Sequence, residues 1–132
     1  MPGKVLVVDD TLIGLEAARN CLEACGIQVD CARNGWEAIA LILKDTMGQY
    51  DIIFMDYYMP GIDGLETVKN IREAFETEYA RTVPIIAYTS APRNDSGINF
   101  LENGFSDFLA KPMDMIKLNA LLEKWKKGFH SE

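Results

Sequence analysis

Short apolar runs alternate with stretches of helical periodicity along the 132 residues of the chain. The runs are continuously apolar rather than alternating, which is typical of strands that are covered on both faces. Strands that alternate with helices predict a doubly wound α/β domain with a parallel sheet and right-handed crossovers. The five predicted strands are Val5–Val8, Ile27–Cys31, Ile52–Met55, Ile85–Tyr88 and Phe108–Leu109.

Helical periodicity between the strands predicts five helices. Gly26 is typical of the residue that follows a helix, and Asp63 with Glu66 three residues later resembles a capping box. The fourth helix, over about 95–103, has the weakest pattern because Gly97 lies inside it. The helices are predicted to start near Thr11, Asn34, Asp63, Asp95 and Asp114.

Apolar stripes predict which face of each helix packs on the sheet. Leu12 and Ile13 fall well outside the stripe of the first helix, and Leu15 lies on its flank. These side chains are therefore expected to form an exposed apolar patch. The predicted core-facing positions are Gly14, Ala18, Cys21, Leu22 and Cys25 on the first helix and Trp36, Ile39, Ala40 and Leu43 on the second.

The bulk properties indicate one domain over residues 1–132, with a core from about 4 to 126. The net charge of −7 and the pI near 4.7 argue against binding of nucleic acid, because a phosphate backbone requires a basic patch. No apolar run approaches the length of a membrane span. The three cysteines suit a reducing compartment, so a cytoplasmic location is expected.

Charged residues follow three of the predicted strands. Asp9 and Asp10 follow the first, Asp56 follows the third, and Lys111 follows the fifth. The carboxyl ends of parallel strands form the edge at which α/β sheets bind ligands. Three carboxylates in one place repel each other unless a cation joins them, and Mg²⁺ prefers such oxygen ligands. Together with Mg²⁺ and Lys111 the cluster is neutral, so the sequence predicts a site that accepts a phosphoryl group.

Four motifs in order resemble the receiver domains of two-component response regulators. They are Asp9–Asp10, Met55–Gly64, Thr89–Ser90 and Lys111–Pro112. The resemblance extends from Lys4 to about Trp125 and implies the flavodoxin-like strand order 2-1-3-4-5. Its last part is most similar to receivers attached to hybrid sensor histidine kinases, so the chain is expected to be a stand-alone receiver or one cut from a longer protein.

The resemblance implies a role for each acidic residue. Asp56 would be the nucleophile that takes the phosphoryl group from a phosphohistidine. Asp10, Asp56 and the backbone carbonyl of Tyr58 would bind Mg²⁺ directly, and Asp9 would act through a metal-bound water. Asp9 or Asp10 could instead be the N-cap of the first helix.

The resemblance also implies roles for residues near the fourth and fifth strands. Thr89 would donate a hydrogen bond to the phosphoryl group, and Lys111 would pair with a carboxylate before transfer and with the phosphoryl group afterwards. Pro112 corresponds to a cis-proline, with an ordinary trans turn as the alternative. Phe108 matches an aromatic residue that swings inward when Thr89 moves, although a strand phenylalanine is usually a core residue.

The implied partner is a histidine kinase or a histidine phosphotransfer protein. Its histidine-bearing helix must approach Asp56, so the apolar patch beside Asp10 is predicted to be its docking surface. This surface consists of Leu12, Ile13 and Leu15, with Pro112 across the cleft. A frayed first helical turn that packs on a loop is the alternative.

Three other functions share parts of this pattern. A phosphatase of the haloacid dehalogenase type needs an acid two residues after the nucleophile, where this chain has Tyr58. A flavodoxin-like FMN protein needs a phosphate-binding loop where this chain has Asp9 and Asp10. A pseudo-receiver would signal without phosphorylation. We expect a phosphoacceptor that catalyses only its own phosphorylation and dephosphorylation.

Overall fold

The computed structural model describes residues 3–44, 48–59, 61–74, 77–90 and 103–125. They form one parallel sheet of strand order β2-β1-β3-β4-β5, which confirms the predicted fold. The strands are β1 (Lys4–Val8), β2 (Gln28–Ala32), β3 (Tyr50–Met55), β4 (Ile85–Thr89) and β5 (Asp107–Ala110).

Five helices occur in the described part of the chain. Helix α4 is a single short turn between α3 and β4 that the sequence did not predict, because five residues are too few to show a periodicity. Its N-cap, Thr77, accepts a hydrogen bond from the backbone N–H of Ala80. The predicted helix over about 95–103 falls in residues 91–102, outside the described residues. The helices are α1 (Leu12–Ala24), α2 (Gly35–Lys44), α3 (Gly64–Ala74), α4 (Glu78–Thr82) and α5 (Met115–Lys124).

Local capping explains where the long helices begin and end. The side chains of Asp63 and Asp114 accept hydrogen bonds from backbone N–H groups three residues later, as predicted. Gly26 follows α1 with φ of 81°, a left-handed conformation that favours glycine. The N–H of Gly26 donates to the carbonyl of Glu23, and that of Ile27 donates to the carbonyl of Leu22. This is the Schellman arrangement, which satisfies the last carbonyls of the helix.

The core consists of two apolar layers, one on each face of the sheet. Helices α2, α3 and α4 cover one face, and α1 and α5 cover the other. In the three central strands, β1, β3 and β4, alternate residues enter opposite layers, which explains why these strand sequences are almost continuously apolar. The first layer includes Leu6, Val8, Ala38, Ile42, Ile53, Met55, Val68, Ile71 and Ala80. The second includes Val5, Val7, Leu15, Ala18, Leu22, Phe54, Tyr88, Leu118 and Leu121.

The structure corrects two predictions about helix faces. Leu15 is only 5% exposed, because it shares a buried stripe with Ala18 and Leu22, so it does not belong to the exposed patch. On α2, Trp36 and Leu43 are exposed, and the buried positions are instead Gly35, Ala38 and Ile42. Helix α2 carries apolar residues around most of its circumference, so its sequence alone does not define the core-facing side. No helix in the described ranges is both long enough and apolar enough to cross a membrane.

Candidate functional site

The acidic residues predicted from the sequence lie together at the carboxyl edge of the sheet. Strands β1 and β3 are neighbours, and Val8 is paired with Met55 at their ends. Asp9 and Asp56 follow these two residues directly, so the register places them side by side. One carboxylate oxygen from each of Asp9, Asp10 and Asp56 lies within 4.8 Å of the others.

Lys111 reaches this cluster from the end of β5. Its Nζ lies 2.6 Å from Asp9 Oδ2 and 3.2 Å from Asp56 Oδ2. Its backbone N–H donates to the carbonyl of Thr89, and the Lys111–Pro112 peptide bond is cis, as the resemblance implied. Lys111 therefore bridges two carboxylates, and the shorter contact is with Asp9 rather than with Asp56.

Asp9 is completely buried and connects the cluster to the start of α1. Its Oδ1 accepts hydrogen bonds from the backbone N–H and the hydroxyl of Thr11, at 2.9 and 3.0 Å. Thr11, not Asp9 or Asp10, is the N-cap of α1. Gly14 in the first turn packs against this carboxylate: a Cβ there would lie 2.7 Å from Asp9 Cγ and 2.8 Å from Thr11 Oγ1. The close approach of the helix fixes the position of the Asp9 side chain.

Burial dominates the electrostatics of Asp56. Asp56 is only 4% exposed, and loss of solvation raises the pKa of its carboxyl group to about 6. The ammonium of Lys111 opposes this rise, and the negative charge of Asp9 adds to it. Burial also lowers the pKa of Lys111, but the contacts with Asp9 and Asp56 outweigh it and raise that pKa above its usual value. The cluster thus holds more negative charge than the one lysine offsets.

The donor set of this cluster fits a hard divalent cation. Three carboxylates converge, and the lysine leaves part of their charge uncompensated. Asp10 is partly exposed and lines an open cleft of about 400 Å³ beside the start of α2, so this carboxylate is accessible from solvent. Oxygen ligands, excess negative charge and an open side are what Mg²⁺ requires when it keeps several of its waters.

The remaining predicted residues surround the cluster. Thr89 is buried at the end of β4, and Phe108 on β5 is partly buried and packs against the α2–α3–α4 side of the core. The backbone N–H of Tyr58 donates to Asp56 Oδ1 at 3.3 Å. The side chain of Tyr58 is 49% exposed and packs edge-to-face on Tyr57. Tyr58 therefore lies directly beside the carboxylate, with its ring at the surface.

Exposed apolar side chains lie at the start of α1 and at the start of α5. Leu12 and Ile13 are 60% and 84% exposed, and Pro112 is also exposed. Met115 and Ile116 at the start of α5 are exposed as well, at 39% and 84%. Sequence reasoning missed these two because they fall within a helix whose other apolar residues are buried.

Tyr88 is another residue that sequence reasoning missed. The centroid of its ring lies 5.2 Å from Lys111 Nζ, within the range of a cation–π contact. A tyrosine within an apolar strand run is normally read as a core residue. Only the fold shows that this ring lies beside the lysine of the acidic cluster.

Comparisons with known proteins identify the family of the chain. A family model described as the response regulator receiver domain matches residues 5–123. The chain is 33% identical over 129 residues to hybrid signal transduction histidine kinase L of Dictyostelium discoideum, and the match covers 97% of this chain but 8% of that kinase. It is also 34% identical to transcriptional regulatory protein ResD of Bacillus subtilis, over 92% of this chain and 48% of that protein. The chain thus spans only a small part of the kinases it matches.

Solved structures show the same fold. The receiver domain of sensor histidine kinase PA1611 from Pseudomonas aeruginosa, with a magnesium ion coordinated in its active-site cleft, has a TM-score of 0.78 and 30% identity over 95% of this chain and 98% of that one. Chemotaxis protein CheY4 of Vibrio cholerae has a TM-score of 0.80 and 27% identity over 94% and 98%. With the family model matching most of its length, the chain belongs to the response regulator receiver domain family of two-component signalling.

Proposed function

We propose that Asp56 accepts a phosphoryl group from the phosphohistidine of a histidine kinase or a histidine phosphotransfer protein, in a reaction that requires Mg²⁺. The observation that carries this proposal is the buried contact of Lys111 with Asp9 and Asp56, beside a third carboxylate. One oxygen of Asp56 bonds to phosphorus as the bond from phosphorus to the imidazole nitrogen breaks. The histidine leaves as neutral imidazole after it takes up a proton.

The acidic residues would hold the metal in the way the resemblance implied. Asp10, Asp56 and the carbonyl of Tyr58 would hold it directly, and Asp9 would act through a metal-bound water. Bound there, Mg²⁺ neutralises the charge on the transferring phosphoryl oxygens and orients them. This assignment is supported by the convergent carboxylates and by the magnesium ion in the cleft of the Pseudomonas relative.

Lys111 and Thr89 would stabilise the product. Lys111 has a compact charge on a flexible stem, so it can move from the carboxylate of Asp56 to a phosphoryl oxygen nearby. The hydroxyl of Thr89 donates to another phosphoryl oxygen, and the aromatic side chain of Phe108 then swings inward. This change alters the surface that a downstream partner binds, so the domain acts as a switch and catalyses only its own phosphorylation and dephosphorylation.

Incubation with acetyl phosphate and Mg²⁺, followed by intact-mass measurement and peptide mapping, tests the acceptor assignment. We expect one phosphoryl group on Asp56, none without Mg²⁺ and none in Asp56→Asn. Asp63→Asn is a matched control, because this residue lies on the same connection and asparagine retains its capping role. Undiminished labelling of Asp56→Asn would contradict the assignment, and an unlabelled wild type would favour a pseudo-receiver. The dehalogenase-type phosphatase has no support here, because exposed Tyr58 occupies the position of the second acid.

The partner helix would dock on the patch formed by Leu12, Ile13 and Pro112. Leu15 does not contribute, because it is buried in the core. Leu12 and Ile13 lie two and three residues after Asp10 and are large exposed apolar side chains, which mark interaction surfaces. Hybrid histidine kinases among the relatives support a histidine-bearing partner.

Ile13→Asp tests this docking surface. We expect slower transfer from a phosphorylated histidine phosphotransfer protein, with labelling by acetyl phosphate and the Tm nearly unchanged, because the side chain is 84% exposed. Leu43→Asp is the control, since Leu43 is also exposed but lies at the far end of α2. Equal loss with both donors would show that Ile13 has a structural role.

A further inference from the structure

Tyr88 lies beside Lys111 but takes no part in the chemistry proposed above. It is 1% exposed on β4, and its ring centroid lies 5.2 Å from Lys111 Nζ. We propose that Tyr88 is a positioning residue for Lys111: the ring holds the ammonium in place while Lys111 exchanges the carboxylate of Asp56 for the phosphoryl group. This inference rests on the function proposed above.

Two further contacts fix the ring itself. Tyr88 packs edge-to-face against Phe54 on the neighbouring strand β3, with centroids 6.3 Å apart and an interplanar angle of 77°. Burial raises the pKa of the Tyr88 phenol, and the nearby backbone amide of Met113 acts in the opposite direction. Tyr88 thus contacts the core on one side and the connection that carries Lys111 on the other. A ring held in this way cannot turn away from the ammonium without breaking core packing.

A neutral contact such as the Tyr88 ring is useful because the charges around Lys111 change during the reaction. Asp9 and Asp56 hold the ammonium electrostatically, and both contacts weaken when a divalent cation or a phosphoryl group arrives. The face of an aromatic ring attracts a cation and stays neutral through every step. Lysine has a long flexible side chain, and a constant contact limits the entropy lost when it meets the phosphoryl group.

Replacement of the ring separates this role from packing. In Tyr88→Leu and in Tyr88→Met we expect the rate of labelling by acetyl phosphate at saturating Mg²⁺ to fall about tenfold, which corresponds to about 1.4 kcal/mol and lies within the range of cation–π contacts. Tyr88→Phe keeps the ring and should stay within about twofold of the wild-type rate. Ile52→Val is the matched control, because it removes buried volume from the same core layer on β3, and the register of β3 with β4 places it four positions away from Tyr88.

A spectroscopic measurement reports the contact directly. The ring current of the aromatic side chain at position 88 should shift the proton resonances of the Lys111 ε-methylene group upfield in the wild type, in Tyr88→Phe and in Ile52→Val. The shift should be absent in Tyr88→Leu and in Tyr88→Met. This comparison does not depend on phosphorylation.

Three results would overturn the positioning role. The first is a Lys111 ε-methylene shift that is the same with and without the ring. The second is labelling of Tyr88→Leu and Tyr88→Met as fast as that of Ile52→Val. The third is a Tyr88→Phe variant as slow as Tyr88→Leu, which would assign the effect to the hydroxyl group. A wild type that takes no phosphoryl group would overturn the proposed function itself, and the ring-current shift would still decide whether Tyr88 holds Lys111.

Discussion

Asp56 is destabilised in its charged form by the same burial that protects it from solvent. Its pKa of about 6 in the folded protein lies above the ordinary value of 3.8. The folded state therefore binds this proton more tightly than the unfolded state does. The resulting stabilisation is complete below about pH 4 and is lost as the pH rises through 6. Ionisation of Asp56 consequently lowers the free energy of unfolding of the metal-free protein at neutral pH.

Asp56→Asn should raise the free energy of unfolding of the metal-free protein at pH 8. The difference between the two pKa values corresponds to at most about 3 kcal/mol. The gain should shrink towards zero as the pH falls to about 3, where Asp56 is largely protonated in both states. Urea unfolding in EDTA across this pH range measures it, with Asp63→Asn as the control. No gain at pH 8, or a larger gain in acid, would show that Lys111 fully compensates the buried charge.

At the scale of elements, the site depends on how closely helix α3 approaches the end of β3. The N–H of Gly64 donates to the carbonyl of Tyr57 at 2.8 Å. A Cβ at position 64 would clash with the backbone oxygen of Asp56 and would lie 2.7 Å from the Cα of Tyr57. Only a residue without a side chain lets the helix begin directly against the connection that carries Asp56.

Gly64→Ala should therefore shift the Asp56 connection, lower the free energy of unfolding by about 1–3 kcal/mol and slow labelling by acetyl phosphate. Gly61→Asn is the control on the same connection. Position 61 has φ of 79°, which asparagine tolerates, and a Cβ there would meet no atom within 4 Å. This variant should remain close to wild type in both measurements. If Gly64→Ala were labelled at the wild-type rate, the connection would have adjusted to the added side chain without moving Asp56.

For the molecule as a whole, a metal that binds only the folded state must stabilise it. At a free Mg²⁺ concentration ten times the Kd, linkage gives about 1.4 kcal/mol. For a domain of this size the Tm should rise by about 4 °C. Thermal unfolding with Mg²⁺ and with EDTA tests this, and the increase should disappear in Asp10→Asn. Asp30→Asn is the control, because Asp30 on β2 pairs with Lys4 at the opposite edge of the sheet. An equal rise in Asp10→Asn would indicate a different metal site.

Much of this protein follows from local sequence. The five apolar runs predicted the five strands to within two residues, because strands covered on both faces must be apolar throughout. Asp63, Asp114 and Gly26 marked helix ends through contacts that involve only nearby backbone groups. The candidate site was predictable for the same reason: in a parallel sheet, residues that follow strands must meet at one edge.

Only the tertiary structure decided the contacts between elements. Leu15 is buried and Trp36 is exposed because the position of each helix on the sheet, not its own periodicity, selects the face that packs. Lys111 lies closer to Asp9 than to Asp56, and the ring of Tyr88 lies beside it, because these side chains come from the ends of four different strands. The sequence thus determined which groups reach the carboxyl edge of the sheet. The packing of the helices and the register of the strands determined which of them touch.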